Sequence, residues 1–211
     1  MARRLGLTMR VDRCREDGEQ RDALAADWAS ALARALGDVP WVPIPNLGPR
    51  TERFLQAWEI GAVILTGGND VSACPIRDET ERVAVAYCLR TGLPVLGICR
   101  GLQFLQVYFG GSLRPAPETH WGGRSHPLEI CGARARAMLG HARIVVPSFH
   151  RHGVLAEELS DALEPWALSG DGFVEGLFHR TAPVMAVQWH PERRLPDPEI
   201  AVRLLRSFHR G

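Results

Sequence analysis

The sequence predicts an α/β fold built around a mainly parallel sheet, and three observations support this. Two continuous apolar runs, residues 60–66 and 94–98, are each followed by a glycine-containing turn, as expected of strands buried on both faces. Helical patterns alternate with these runs at the spacing of strand–helix–strand units. The length of 211 residues suits one core of ordinary size, so a single domain is predicted over residues 1–211.

In the first half of the chain, predicted strands and helices alternate. Residues 5–10 are short and apolar and predict the first strand. Residues 20–36 are rich in Ala and Leu, with apolar side chains at i, i+4 steps, which predicts an amphipathic helix. The other elements predicted here are an extended segment at 41–45 and helices at 50–58, 79–91 and 102–109.

The second half contains shorter apolar runs, which predict strands, and one closing helix. The predicted strands lie at 128–131, 143–146, 166–169, 173–178 and 184–189, and the helix lies at 198–209. Residues 111–124 are rich in Gly, Pro and Arg and predict a surface loop. We interpret His120 and His126 as exposed histidines of this region.

The charged residues exclude several classes of function. All 25 Lys+Arg residues are arginine, which excludes a catalytic lysine that forms Schiff bases and the lysine of a Walker A loop. The 24 acidic residues leave a formal net charge of +1, which argues against nucleic acid as the main partner.

Nothing in the sequence predicts export or membrane insertion. No apolar run reaches the roughly 18 residues of a membrane span, and no long apolar stretch follows Arg3 and Arg4 as in a secretory signal. The five cysteines are irregularly spaced and contain no CxxC pair. We therefore predict a cytoplasmic protein with free thiols and no membrane partner.

Cys99 lies in the most informative segment, between a predicted strand and a predicted helix. Gly97 and Gly101 flank it at two residues on either side, which is the pattern of a nucleophile elbow. The sharp turn of an elbow crowds its neighbours, so they need to lack side chains. The position at a helix N-terminus also favours the thiolate. The alternative is a buried structural cysteine with accidental glycines nearby.

A nucleophilic thiol needs a base, a group that orients the base, and donors for the oxyanion. His190 and Glu192 follow an apolar strand and are the candidates for base and orienting acid, although a surface His/Glu pair is the alternative. The amide of Arg100 is one oxyanion candidate. The second lies in the segment 66–70, whose two glycines could equally form an ordinary tight turn.

Together these segments closely resemble the gamma-glutamyl hydrolase branch of the class I glutamine amidotransferase-like superfamily. Five segments carry the resemblance in the family's order: LTGGND (65–70), GICRGLQ (97–103), SFH (148–150), DGFVE (171–175) and VQWHPE (187–192). The resemblance implies a flavodoxin-like three-layer sandwich. It also implies Cys99 as nucleophile, His190 as acid and base, and Glu192 as orienting residue.

The resemblance further implies the remaining site residues and no cofactor or metal. The oxyanion hole is expected from the amides of Gly68 and Arg100. The residues expected to bind the gamma-glutamyl substrate are Gly67, Asn69, Gln103, Ser148, Phe149, His150 and Arg151. His150 and His152 form an H-x-H pair, but no carboxylate or cysteine lies at ligand spacing beside them, so no metal is predicted.

One departure from the family concerns the leaving group. Where these hydrolases usually read Asn-Ser-x-His-His-Gln, residues 147–152 read PSFHRH, so Arg151 and His152 replace the second His and the Gln. Residues 21–28 and 42–45 are more similar to a compact subgroup that releases cytidine diphosphoramidate. An anionic leaving group is therefore plausible, and its candidate contacts are Arg100, Arg114, Arg124 and Arg151. For any single arginine, a solvated surface charge is the alternative.

Three functions fit the sequence to different degrees. The leading hypothesis is a cysteine hydrolase that releases glutamate from a small gamma-glutamyl amide, with gamma-glutamyl-CDP-amidate as the candidate substrate. The second is a glutaminase subunit that delivers ammonia to a separate synthase partner. The presence of Cys99, His190 and Glu192 argues against the third, a non-catalytic binding relative. The sequence is also compatible with a homodimer.

Overall fold

The computed structural model describes residues 4–14 and 16–210. In this part of the chain, strands outnumber helices. The strands are β1 (Arg4–Thr8), β2 (Arg10–Arg13), β3 (Gln20–Ala23), β4 (Trp41–Ile44), β5 (Ile60–Leu65), β6 (Val95–Ile98), β7 (Arg114–Pro115), β8 (Arg124–Ile130), β9 (Arg143–Ser148), β10 (His152–Gly153), β11 (Leu163–Ser169), β12 (Val174–His179) and β13 (Val184–Val187).

The helices pack on both faces of the main sheet. They are α1 (Asp27–Leu36), α2 (Thr51–Ala57), α3 (Pro75–Thr91), α4 (Arg100–Tyr108), α5 (Ala133–Leu139) and α6 (Glu199–Arg210). One apolar core joins α1, α5 and α6 to the sheet, and a second core joins α2, α3 and α4 to it. The predicted three-layer sandwich is therefore confirmed. None of the described helices is both long enough and apolar enough to cross a membrane.

The main sheet contains nine strands among the described residues, in the order β4-β1-β5-β6-β13-β12-β11-β8-β9. The first five strands pair in parallel, and the last four are added by antiparallel pairing. Because β11 and β9 return to the direction of the first five, seven of the nine strands point the same way. The sheet is thus mixed and mainly parallel.

The order of the parallel strands positions the site. Because β5, β6 and β13 are neighbours and run in parallel, the segments that follow them emerge at one edge of the sheet. These segments contain Thr66–Gly68, Cys99 and His190. The carboxyl edge of a parallel sheet is where open α/β folds bind ligands.

The helix predicted over residues 20–36 is only partly correct. It begins at Asp27, and Gln20–Ala23 instead forms a hairpin with Arg10–Arg13. Asp22 accounts for part of this, because its carboxylate accepts hydrogen bonds from the backbone and side-chain nitrogens of Asn46, at 2.8 and 2.6 Å. Tertiary contacts thus override the helical propensity of an Ala- and Leu-rich segment.

Other predicted elements hold with shifted boundaries. The first strand ends at Thr8, and α3 begins at Pro75, four residues before its predicted start. The helix α5 is an addition that the apolar runs did not predict. The predicted loop at 111–124 contains short regular segments, and His120 is buried within it rather than exposed.

Candidate active site

Cys99 occupies a strained turn between β6 and α4. Its φ of 52° and ψ of −100° lie outside the regions that residues with a side chain normally adopt. A Cβ at Gly97 would lie 2.7 Å from the Gly101 carbonyl carbon, and one at Gly101 would overlap the Leu65 carbonyl oxygen. The crowding that the sequence pattern predicts is therefore present, and both glycines are needed for the elbow to form.

The Cys99 thiol lies near donors that favour a thiolate. The side-chain amide of Gln188 donates to Sγ at 3.5 Å, and the thiol precedes the first turn of α4. Gln188 was not among the predicted site residues, although it lies in a segment that carries the family resemblance. Cys88 is the contrast, because burial raises the pKa of its thiol to about 12 and keeps it protonated.

His190 and Glu192 form the pair that the sequence predicts. His190 Nδ1 donates to Glu192 Oε1 at 2.6 Å, and both side chains are almost fully buried. Burial by itself lowers the pKa of His190. The negative charge of Cys99 and the carboxylate of Glu192 outweigh burial and raise that pKa to about 9. The arrangement therefore favours an imidazolium beside a thiolate.

These three residues line one small cleft of about 210 Å³. The wall nearest His190 is formed by Gly67, since a Cβ there would lie 2.7 Å from His190 Cε1. Phe149 covers the other side and packs edge-on against the imidazole, with ring centroids 5.8 Å apart. The remaining lining residues are Arg10, Ala23, Ala25, Trp28, Thr66, Gly68 and Arg193.

Arg77 holds the loop after β5 in place from behind. Its guanidinium donates to the carbonyls of Thr66 and Gly67, at 2.7 and 3.1 Å. In a trans peptide the N–H points opposite to the carbonyl, so the Gly68 amide points away from Arg77. Arg100 begins α4, and its amide has no acceptor within the helix. Both features suit the predicted oxyanion donors.

The predicted substrate-binding residues fall into separate groups. Gly67 and Phe149 line the cleft. Asn69 does not, because its side chain bonds the backbone N and O of Val11, at 2.9 and 2.8 Å, and so anchors the β2–β3 hairpin. Through this hairpin, Arg10 and Ala23 reach the cleft, a contribution that the helical interpretation of residues 20–36 missed.

Gln103 and Ser148 are buried in the wall behind the cleft. Gln103 Nε2 donates to the carbonyl of His152 at 2.7 Å, and Ser148 Oγ donates to the carbonyl of His120 at 2.7 Å. Both side chains therefore support the segment 148–152 rather than line the cleft. Arg151 lies on the outside of this wall, 5.4 Å from the ring centre of Trp121.

None of the four arginines predicted to contact an anionic leaving group lines the cleft. Arg114 donates to the Glu158 carboxylate, and Arg124 donates to the Glu118 carbonyl at 3.3 Å. The arginines that do line it are Arg10 and Arg193. Arg10 pairs with Asp12 at 2.8 Å, whereas Arg193 forms no ion pair with any described residue and lies 4.3 Å from the ring centre of Phe149.

The side chain of Arg100 is buried on the opposite side of its backbone amide. It pairs with Glu81 and Asp78 of α3, and Glu81 also pairs with Arg77 at 3.1 Å. The predicted contact of Arg100 with a leaving group is therefore not supported. This ion-pair network instead joins α3 and α4 directly beneath the elbow.

Buried histidines form a second polar cluster behind Phe149. His120 and His150 both approach Glu175 Oε1, at 3.4 and 3.1 Å, and His126 lies 3.7 Å from the same oxygen. Burial would raise the pKa of Glu175, but these histidines hold it well below its usual range. The cluster joins residues far apart in sequence, which the spacing of single motifs could not predict.

Residues 5–192 match the model of the peptidase C26 family. The chain belongs to this family. It is 31% identical to a Schizosaccharomyces pombe protein named as a glutamine amidotransferase, over 86% of this chain and 79% of the relative. It is 29% identical to the gamma-glutamyl-CDP-amidate hydrolase of Campylobacter jejuni, over 90% of each chain.

A solved structure confirms the flavodoxin-like fold. A GMP synthase subunit from Thermoplasma acidophilum superposes with a TM-score of 0.74 and 21% identity, covering 100% of this chain and 95% of that one. Membership of the peptidase C26 family, with a hydrolase among its relatives, supports a hydrolase.

Proposed function

We propose that this protein is a cysteine hydrolase of gamma-glutamyl amides. The observation that carries the proposal is the strained Cys99 turn, which shares one cleft with the His190–Glu192 pair. A thiol alone, or a His/Glu pair alone, would be equally consistent with a structural role. Their convergence at the carboxyl edge of the sheet supplies a nucleophile, an acid and an orienting carboxylate together.

The first half-reaction transfers the glutamyl group to sulfur. The Cys99 thiolate attacks the side-chain amide carbonyl, and the amides of Gly68 and Arg100 stabilise the negative oxygen that forms. As the C–N bond breaks, the His190 imidazolium gives its proton to the departing nitrogen. The products are a glutamyl thioester on Cys99, a free amine or amidate, and a neutral His190.

The second half-reaction restores the enzyme. Neutral His190 takes a proton from water, and the hydroxide attacks the thioester carbonyl. The C–S bond breaks, glutamate leaves, and the thiolate–imidazolium pair forms again. Glu192 keeps Nδ1 of His190 protonated in both steps, so Nε2 faces the reacting atoms.

The cleft suits a substrate that carries negative charge beyond the glutamyl group. Arg10 and Arg193 both line it, and Arg193 is unpaired among the described residues. The C. jejuni relative is named for a phosphoramidate-type substrate. We therefore put forward gamma-glutamyl-CDP-amidate as the candidate substrate, with Arg193 nearest the role of diphosphate contact.

Glutamate release from a panel of gamma-glutamyl amides tests the proposal. The panel contains glutamine, gamma-glutamyl-aminobutyrate, a gamma-glutamyl polyamine and gamma-glutamyl-CDP-amidate. We expect the phosphoramidate to give the highest kcat/KM and Cys99→Ser to reduce its turnover by at least roughly a thousandfold. Cys131→Ser is the control, since Cys131 is a free, partly exposed thiol away from the cleft. Unchanged turnover in Cys99→Ser would rule the mechanism out.

A glutaminase subunit of a synthase is the second candidate, and the likeness to the T. acidophilum GMP synthase subunit favours it. It would use the same thiol and histidine for the first half-reaction. The two candidates differ in the isolated protein: a hydrolase turns over its substrate alone, whereas a synthase-linked glutaminase is expected to hydrolyse glutamine strongly only with its partner. Partner-stimulated glutaminase activity, with no turnover of the other amides, would favour the second candidate.

A further inference from the structure

The buried cluster behind Phe149 has the geometry of a metal site. His120 Nδ1, His150 Nε2 and Glu175 Oε1 form a triangle with sides of 3.2, 3.1 and 3.4 Å. In a tetrahedral zinc site with bonds of about 2.0–2.1 Å, neighbouring ligand atoms lie about 3.3–3.4 Å apart. The three side chains therefore already stand close to the spacing of one tetrahedral face.

The outer hydrogen bonds of the two histidines fix their tautomers. His120 Nε2 donates to Asp171 Oδ2 at 2.9 Å, and His150 Nδ1 donates to the carbonyl of His152 at 2.9 Å. In their neutral forms, both rings then turn a bare lone pair toward the Glu175 carboxylate. Metal-binding histidines typically make this pair of contacts, with one nitrogen on the ion and the other on a carboxylate or carbonyl.

Three electron-rich atoms that face one another need a positive charge between them. Protons on the imidazoles could supply it, and the cluster would then be a hydrogen-bond network. Two further atoms distinguish the cases: His126 Nε2 and Glu175 Oε2 are buried without a hydrogen-bond partner among the described residues. A proton-based network leaves both atoms unsatisfied, at a cost of about 1–3 kcal/mol each.

We infer that His120, His150 and Glu175 bind a divalent transition-metal ion, with His126 as the fourth ligand. The ligand set of imidazoles and one carboxylate favours Zn²⁺. His126 Nε2 lies 3.7 Å from Glu175 Oε1, on the more exposed side of the cluster, where an ion would enter. This inference departs from the sequence prediction of no metal, because the partners of His150 come from distant segments and not from His152.

The ion would have a structural role. It would join the turn at Glu118–His120, the segment after β9 and the strand β12. Phe149, which precedes His150, lines the catalytic cleft, so the ion would hold that wall in place. Cys99 is not part of the ligand set, and the reaction proposed above proceeds without the metal.

Metal content of the purified full chain tests the inference. The protein is stripped with chelator, reloaded with Zn²⁺ or Co²⁺, desalted, and measured by elemental analysis and visible absorption. We expect one ion per chain, a tetrahedral Co²⁺ spectrum, and a rise in Tm on Zn²⁺ addition. His120→Gln and Glu175→Gln are expected to lose the ion, and His126→Gln is expected to bind it more weakly.

Two controls separate this site from others. His141→Gln removes an exposed histidine that lies near Asp197, and its metal content is expected to equal that of the wild type. Cys99→Ser is also expected to keep the ion, which excludes binding by the catalytic thiol and His190. Wild-type protein that retains no ion and shows no rise in Tm would overturn the inference, as would equal retention in Glu175→Gln and His120→Gln. Neither outcome bears on the proposed hydrolase, because no readout is enzymatic activity.

Discussion

At the scale of single residues, the ionisation of His190 governs the pH dependence of the proposed reaction. Cys99 and Glu192 raise its pKa to about 9 against the opposing effect of burial. The imidazolium is the proton donor to the leaving nitrogen, so activity should be lost as the pH rises through that value. We predict an alkaline limb in kcat/KM near pH 9.

Glu192→Gln tests the cause of that limb. Removing one of the groups that raise the pKa of His190 should move the limb to lower pH and reduce kcat/KM. Glu199→Gln, an exposed change on α6, should leave the profile in place. A limb that stays at the wild-type position in Glu192→Gln would show that Glu192 does not set the pKa of His190.

Arg193 is the residue we expect to select an anionic leaving group. It lines the cleft and lacks an ion-pair partner among the residues described, so its charge is free for a substrate. Arg193→Gln should raise KM for gamma-glutamyl-CDP-amidate roughly tenfold, equivalent to about 1.4 kcal/mol, and change KM for glutamine little. Arg194→Gln is the matched control, because the neighbouring Arg194 is exposed and outside the cleft. Equal effects on both substrates would contradict the selectivity.

At the scale of elements, the packing of α4 against β5 determines whether the elbow can form. A Cβ at Gly101 would overlap the Leu65 carbonyl oxygen, and strand backbone cannot move aside as a flexible side chain can. We predict that Gly101→Ala costs about 1–3 kcal/mol of unfolding free energy and most of the activity. Gly170→Ala should be tolerated, since no heavy atom lies within 4 Å of its added Cβ. Urea denaturation with parallel activity assays measures both.

The ion pairs between α3 and α4 are a second element-scale feature. Glu81 is fully buried and pairs with both Arg77 and Arg100, so its neutral replacement would leave two buried guanidinium groups undercompensated. We predict that Glu81→Gln lowers the free energy of unfolding by about 3–5 kcal/mol. Glu79→Gln removes an exposed pair with Arg82 on the same helix, where solvent screening limits the loss to at most about 1 kcal/mol. Similar losses in the two variants would contradict the role of burial.

The elements also show where prediction from sequence succeeds and fails. The buried strands β5 and β6 were predictable because continuous apolar runs have few other uses. The β2–β3 hairpin was not, because its pairing depends on Asn46 and Asn69, which bond it from other parts of the chain. Local propensity carries no information about such partners.

The same limit applies to the site. Cys99, its flanking glycines and the closely spaced His190 and Glu192 lie in short segments whose residue types express their chemistry directly. The supporting contacts of Arg77 and Gln188 depend on how those segments meet, so the sequence did not identify them. The predicted arginine contacts failed for a related reason, since charge alone does not show which partner a guanidinium finds.

At the scale of the whole molecule, an even charge balance coexists with a basic catalytic cleft. The 25 arginines and 24 acidic residues leave a net charge of +1. Much of that charge is paired, as in the network of Arg100 and in the surface pair of Arg114 with Glu158. Overall neutrality therefore excludes a nucleic-acid surface without excluding recognition of a small anion.

The proposed hydrolase depends above all on Cys99, which must carry the glutamyl group during turnover. Rapid acid quench of the enzyme with gamma-glutamyl-CDP-amidate, followed by peptide mass mapping, detects that group on the protein. We expect one glutamyl group on the peptide containing Cys99, absent from Cys99→Ser and present in Cys131→Ser. Sustained glutamate release with no adduct in wild-type enzyme at any quench time, and full activity in Cys99→Ser, would refute the role of this thiol.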